Sequence, residues 1–285
     1  MHIGIDFGGT RVKAGLVDGD HVVRRASAAT KKDREYLLGL VPRLVAKVDP
    51  DRDATALGIG FAGMVGDGRI LHTTDTMPPL TDFPLASFAA EVTGLPCAID
   101  NDGNAHALAE GTFGVGAGAS LFVMLVLGTG VGGGILWGGR PWLGAGSMAS
   151  HLGHIKVRRG GRRCACGARG CVEAYAAAYA IGGGGPAKPV FAAARAGHDD
   201  ATRTVAEAAD AIGAACANLT NILNPDVIAI GGGMTRAWSQ LWPGISAAYA
   251  RDALARGHAS SPVVRARLGN DAGIVGAALL GAHLG

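Results

Sequence analysis

The chain opens His2-Ile3-Gly4-Ile5-Asp6-Phe7-Gly8-Gly9-Thr10, and this stretch decides how the rest is read. Apolar residues run into an aspartate and two glycines, the pattern of a strand ending in a tight turn. Working outward, residues 2 to 7, 11 to 17 and 21 to 29 read as three strands separated by Gly-rich or Asp-Gly turns. Residues 33 to 48 read as an amphipathic helix, with Leu37, Leu38, Val41, Leu44 and Val45 at helical spacing. A strand over 54 to 61, a helix over 84 to 93, a strand over 96 to 100 and a helix over 102 to 113 complete a βββαβαβα order, an α/β pattern. A second round follows. Strands at 120 to 127 and 131 to 137 precede a loop with cysteines. Helices near 171 to 180, 188 to 197 and 201 to 224 come next. A strand at 226 to 230, a helix at 236 to 255, a strand at 262 to 268 and a helix at 273 to 284 close the chain. Two α/β lobes are expected: residues 1–103 plus 272–285, and a larger lobe of 104–271 with the cysteine loop.

Composition bounds the function classes. Of 285 residues, 47 are glycine, more than twice the usual ~7%. With 48% hydrophobic residues the chain is not disordered, and no Gly-X-Y period makes it collagen-like. Residues 111 to 139 carry no charged side chain, long enough to span a bilayer. Gly128, Gly130 and Gly132 to Gly134 interrupt them, so two buried strands joined by a turn fit better. The net charge of +3 is weak support for a polyanion partner. Five cysteines, three of them between Cys164 and Cys171, argue against a secreted disulfide framework and for a reducing compartment, the cytoplasm. No signal peptide is visible before the first strand.

The glycines cluster at strand ends. Asp6-Phe7-Gly8-Gly9-Thr10 follows one strand, Gly128-Thr129-Gly130-Val131-Gly132 joins two, and Gly231-Gly232-Gly233 follows a fourth and opens a helix. Such turns can present N–H groups to an anion. Thr10 can add a hydroxyl, and Asp6 can hold a metal-bound water. Each alone is also an ordinary tight turn; together they point to a nucleotide site, although none matches a Walker or dinucleotide fingerprint.

His154, Cys164, Cys166 and Cys171 form a Cys3His set, the ligands of a closed structural zinc site. The alternative is three free thiols in a surface loop. The neighbouring Lys156, Arg158, Arg159, Arg162 and Arg163 do not make a nucleic-acid module, because a second cysteine pair and interleaved aromatics are both missing. Ile99-Asp100-Asn101-Asp102 closes a strand and opens a helix. Either a side chain here caps the helix, or a carboxylate projects into a cleft between lobes and accepts a hydroxyl proton during phosphoryl transfer. The spacing leaves both readings open.

Taken together, these motifs resemble the ROK (repressor, open reading frame, kinase) sugar kinases, over essentially the whole chain. Besides the three turns and Asn101-Asp102, the resemblance rests on the zinc loop ending Cys166-Gly167-Ala168-Arg169-Gly170-Cys171-Val172-Glu173 and on Asn224-Pro225-Asp226. It implies a two-lobed actin-like ATPase fold of the ribonuclease H-like, hexokinase type with a cleft between lobes. It implies transfer of the ATP γ-phosphate, with Mg2+, to a sugar hydroxyl, usually the 6-hydroxyl, and structural Zn2+. By position, Asp102 resembles the family's catalytic base. Gly63, Thr76, Asn101, His151, His154 and Glu173 fall where that family contacts sugar, and Lys13 joins Asp6, Gly8, Gly9 and Thr10 on the nucleotide side with Thr129. His154 would both orient sugar and ligate zinc through its two nitrogens.

Two departures concern the acceptor. The family usually has Glu-x-Gly-His where this chain has His151-Leu152-Gly153-His154, and often an asparagine at Thr76. A third, Ala62 in place of a common proline, reads as structural. A carboxylate accepts from two hydroxyls, whereas a neutral imidazole offers one donor and one acceptor. This points to a hexose analogue, an amino sugar such as kanosamine or a cyclitol, with a glucokinase that tolerates His151 as the alternative. Sugar-responsive ROK repressors carry an N-terminal helix-turn-helix, for which a strand starting at residue 2 leaves no room. The resemblance further implies a dimer or tetramer, a small-molecule sugar partner, and neither nucleic acid nor membrane.

Overall fold

The computed structural model describes residues 1–73, 77–254 and 261–283. In chain order the strands and helices are β1 (His2–Phe7), β2 (Arg11–Asp18), β3 (His21–Ala29), α1 (Arg34–Val48), β4 (Leu57–Phe61), β5 (Gly63–Gly66), β6 (Arg69–Thr73), α2 (Leu85–Thr93), β7 (Cys97–Asn101) and α3 (Asp102–Phe113). They continue with β8 (Leu121–Leu127), β9 (Val131–Trp137), β10 (Arg140–Pro141), α4 (Glu173–Ala176), α5 (Ala178–Ile181), α6 (Ala187–Arg195), α7 (Asp199–Leu223), β11 (Val227–Gly231), α8 (Trp238–Asp252), β12 (Val263–Arg265) and α9 (Ala272–Ala282).

The chain divides into two compact units. One holds Met1–Gly118, Gly134–Ser150 and Asn270–Gly285, the other Ala119–Gly133 and His151–Gly269. A division at 103/104 falls inside α3, whose Ala105 and Leu108 cluster with Leu280 of α9; the helix therefore goes with the first unit.

The first unit is built on a sheet of order β3-β2-β1-β4-β7. β1 pairs antiparallel with β2 and parallel with β4, and β4 pairs parallel with β7. The two-residue period of β1 explains its sides. Ile3, Ile5 and Phe7 join Leu37, Leu40, Val41 and Leu44 of α1 in one buried cluster. Gly4 faces the opposite side, against Ile274 and Ala278 of α9. Asp33 caps α1, accepting from Tyr36 N–H at 2.8 Å. α9 lies so close to the sheet that a Cβ on Gly58 of β4 would overlap the Ala277 carbonyl. Gly58→Ala is therefore expected to destabilise the protein by about 3 kcal/mol or more, read as lost soluble yield or a lower melting point; a variant melting like the parent would contradict this packing.

A sheet of order β10-β9-β8-β11-β12 follows, with β8, β11 and β12 parallel. In the second unit α7 and α8 meet through small residues. A Cβ on Gly213 would come 2.5 Å from the Ile245 carbonyl oxygen, and one on Gly244 would lie 2.7 Å from Ala209 Cβ. Part of the glycine excess therefore serves helix packing and not anion binding.

The structure adds one hairpin and corrects one expectation. Residues 62 to 83 carry a hairpin, β5–β6, around Asp67-Gly68, both at positive φ (49° and 73°). That dipeptide is a hairpin signal in the sequence. The helix expected over 171 to 180 breaks at Ala177 (ψ 151°), where Ala178 N–H leaves the helical ladder and donates to Gly128 O at 3.0 Å. Residues 111 to 139 form the end of α3, β8, a turn and β9, and no helix of the described residues is long and apolar enough to cross a membrane.

Candidate active site

In the first unit, the C-terminal ends of β1 and β7 gather polar groups. Asp6, the penultimate residue of β1, is buried and opposes Lys13 in the β1–β2 register, with Lys13 Nζ 3.2 Å from Asp6 Oδ2. A Cβ on Gly8 would lie 3.9 Å from Asp6 Oδ1, so the carboxylate borders the Gly8-Gly9-Thr10 turn. That arrangement fits a carboxylate holding a magnesium-bound water beside phosphate oxygens. Gly8 shapes this turn: its N–H donates to Arg11 O at 3.1 Å and its carbonyl accepts from Thr30 Oγ1 at 2.7 Å. The Gly8 amide is thus committed within the turn.

Of the two readings of this segment, the structure places the cap, on Asn101. Asn101 caps α3, its Oδ1 accepting from Gly103 N–H at 2.8 Å. Its Nδ2 donates to Gly63 O at 2.8 Å, which brings together two of the expected sugar-contacting residues. Asp102 is the first residue of α3, partly buried, with Oδ1 2.9 Å from Gly103 N. Burial pushes the Asp102 carboxyl up to about 6; charge on His106 opposes the rise and the nearby Asp6 adds to it. His106, one turn on, donates from Nδ1 to Asp102 O at 2.8 Å. His106 is not among the residues expected at this site, although its i+4 spacing from Asp102 is visible in the sequence. Thr76 lies outside the described residues.

In the second unit, two of the expected nucleotide turns meet. Gly231 pairs with Val126 across β11 and β8. Gly232, at φ 88°, sits where a Cβ would overlap the Leu127 backbone, so no other residue fits. In the β8–β9 turn Gly128 N–H donates to Gly130 O at 2.9 Å and is, like Gly8, committed locally. The same turn receives Glu173: Val131 N–H donates to Glu173 Oε2 at 3.0 Å, and a Cβ on Gly130 would meet that oxygen at 2.6 Å. Tyr179 O–H lies 3.5 Å from Glu173 Oε1; burial and the neighbouring carboxylate push the phenol up from its ordinary value.

The metal set converges. The ligand atoms of His154, Cys164, Cys166 and Cys171 all lie within 4.8 Å of one another. Cys164 Sγ is 3.8 Å from His154 Nδ1, and Cys166 Sγ is 3.7 Å from Cys171 Sγ. Four ligands about 2.3 Å from an ion at tetrahedral angles stand about 3.8 Å apart, so the donor chemistry and spacing fit zinc. Cys164 Sγ also lies 3.4 Å from Glu173 Oε1, linking this loop to the glycine turn. His151 begins the short turn that carries His154, whose N–H donates to His151 O at 3.0 Å. Burial first, and His154 second, hold the His151 imidazole below its ordinary value, which favours the neutral ring at neutral pH.

A profile of the ROK family matches residues 2–283. A glucokinase of Halalkalibacterium halodurans is 35% identical over 96% of this chain and 93% of its own. A kanosamine kinase of Amycolatopsis mediterranei is 30% identical over 98% and 95%. The crystal structure of a ROK family glucokinase from Streptomyces griseus in complex with glucose and AMPPNP superposes with a TM-score of 0.88 at 31% identity, covering 99% of both chains.

Proposed function

The chain belongs to the ROK family and is a sugar kinase, and from that premise we propose that it transfers the γ-phosphate of ATP to the 6-hydroxyl of a hexose or hexose analogue, with Asp102 as general base. The observation that carries this reading is the placement of Asp102 at the first turn of α3, beside the Asn101–Gly63 bond and in the field of Asp6. The base accepts the hydroxyl proton as the oxygen bonds phosphorus. Asp6 and Lys13, with Gly9 and Thr10, serve the phosphates; Thr129, Gly130 and Gly231 to Gly233 serve the nucleotide. Bound Mg2+ would neutralise charge on the phosphate oxygens, and a structural Zn2+ on His154, Cys164, Cys166 and Cys171 would hold the loop that presents His151, His154 and Glu173 to the sugar.

A base raised to about 6 sets the sign of the pH dependence. Asp102 must be ionised to accept a proton, so kcat/KM is expected to fall about tenfold per pH unit well below pH 6. A profile flat down to pH 5 would remove Asp102 from this role.

The acceptor turns on His151. A neutral imidazole supplies one donor and one acceptor where a carboxylate accepts twice, which favours a hexose analogue, an amino sugar or cyclitol. A glucokinase proper is the second reading, favoured by the glucokinase relative. Competition kinetics with glucose against amino hexoses and inositols decides, and glucose with the highest kcat/KM would overturn the analogue. A homo-oligomer remains part of the proposal on family grounds.

A further inference from the structure

We propose that Asp100 is held as a neutral carboxylic acid in a closed, two-hydrogen-bond ring with the Asn104 carboxamide, and that this pair is a positioning element for Asp102. Asp100 lies at the end of β7 and Asn104 in the first turn of α3; they are 8% and 3% exposed. Asn104 Nδ2 donates to Asp100 Oδ1 at 3.0 Å, and the Asn101 N–H donates to the same oxygen at 2.6 Å. Asn104 Oδ1 is buried and has no hydrogen-bond partner. Among the described residues, Ser261 Oγ is the other buried side-chain atom in that position.

An orphaned carbonyl oxygen needs a donor. An ionised carboxylate is acceptor only, so it can meet the Asn104 N–H but can do nothing for the Asn104 oxygen. A protonated Asp100 does both: its Oδ1 accepts from Nδ2 while its Oδ2–H donates to Asn104 Oδ1. At neutral pH the unfolded carboxyl is ionised, so the proton is taken up from water as the chain folds, and no co-reactant is needed. Burial pushes Asp100 above the ordinary carboxylate value, opposed only in part by the Asn104 and Asn101 N–H bonds. Of the charged groups around it, Asp102 and His106 share α3. Asp6 and Lys13 are two strands away, since Asp6 pairs with Gly60 and Gly60 with Asp100.

The ring ties the end of β7 to the first turn of α3. Residues 101 to 103, Asp102 among them, are thereby clamped from both sides. A neutral acid provides this clamp without a third negative charge beside Asp102, whose ionisation Asp6 already opposes. An ionised Asp100 would leave the Asn104 oxygen without a donor and add a further charge opposing the ionisation that Asp102 needs.

This inference rests on the assignment of Asp102 as base. Failure of that assignment shows separately, as turnover near the wild-type rate in Asp102→Asn. The test compares Asp100→Asn and Asp100→Ala in the full chain, with infrared difference spectra of wild type against Asp100→Asn at neutral pH. A protonated-carboxyl C=O band is expected in wild type and absent from the variant. Asp100→Asn, which rebuilds the ring as an amide pair, is expected to keep kcat. Asp100→Ala is expected to lower kcat by about 10- to 100-fold with both KM values unchanged. Absence of the band, or a loss in Asp100→Asn equal to that in Asp100→Ala, would overturn the proposal. Should Asp100→Ala fail to fold, the band and the Asp100→Asn kinetics decide it alone.

Discussion

Asp102→Asn is expected to lower kcat by about 10²- to 10⁴-fold while leaving sugar binding in place and raising the melting temperature of the ligand-free protein. The loss follows from removing the group that accepts the hydroxyl proton. The gain follows from linkage. A carboxyl whose folded value is raised to about 6 binds its proton more tightly in the folded state than in the unfolded one. The stability it contributes is present at pH below its unfolded value near 4 and is lost as pH rises through 6. At neutral pH the ionised carboxylate therefore costs at most about 3 kcal/mol, and the neutral amide relieves it while its oxygen can still accept from Gly103 N–H. Steady-state kinetics, calorimetric sugar titration and thermal melting read the three effects. Turnover near the wild-type rate, or a melting point that falls with it, would contradict the account.

The second large effect concerns the metal. Removing zinc with a chelator, or replacing fully buried Cys171 by serine, is expected to abolish turnover and lower the melting point sharply. Structural zinc sites are worth on the order of 10 kcal/mol in small zinc-dependent peptides. Here three thiols and an imidazole converge in a loop that is also held by main-chain bonds such as Val157 N–H to Gly170 O and by the Arg158–Asp210 ion pair, so the loss is expected to be smaller than in such peptides. Cys164 touches Glu173, whose carboxylate accepts the Val131 N–H, so disorder in the loop reaches the β8–β9 turn. Elemental analysis is expected to give one zinc per chain. A chain without zinc that melts and turns over like the holoprotein would refute the structural role.

Much of this was legible in the sequence because the signals are local. The period-2 alternation of Ile3, Ile5 and Phe7, the cap at Asp33, and the spacing of the metal set all follow from neighbours along the chain. What escaped depends on distant partners. The break at Ala177 exists because Ala178 donates to Gly128, fifty residues earlier. Glu173 could be placed by resemblance, but not its bond to Val131. The glycine turns were expected to face anions, yet Gly8 and Gly128 commit their own amides within the turn, a matter of backbone direction that composition does not carry. The Asp67-Gly68 hairpin, in contrast, had a readable signal. The cap of α3 falls on Asn101, which the motif alone left open.

The central claim is phosphoryl transfer from ATP to a sugar hydroxyl. Its most direct test is product identification by mass spectrometry and 31P NMR after incubation with ATP, Mg2+ and a panel of hexoses, amino hexoses and inositols. The account predicts ADP and a sugar 6-phosphate formed in equal amounts, with Asp102→Asn forming them at least about 10²-fold more slowly. Sugar binding with no consumption of ATP, or ATP hydrolysis with no phosphorylated sugar, would contradict it.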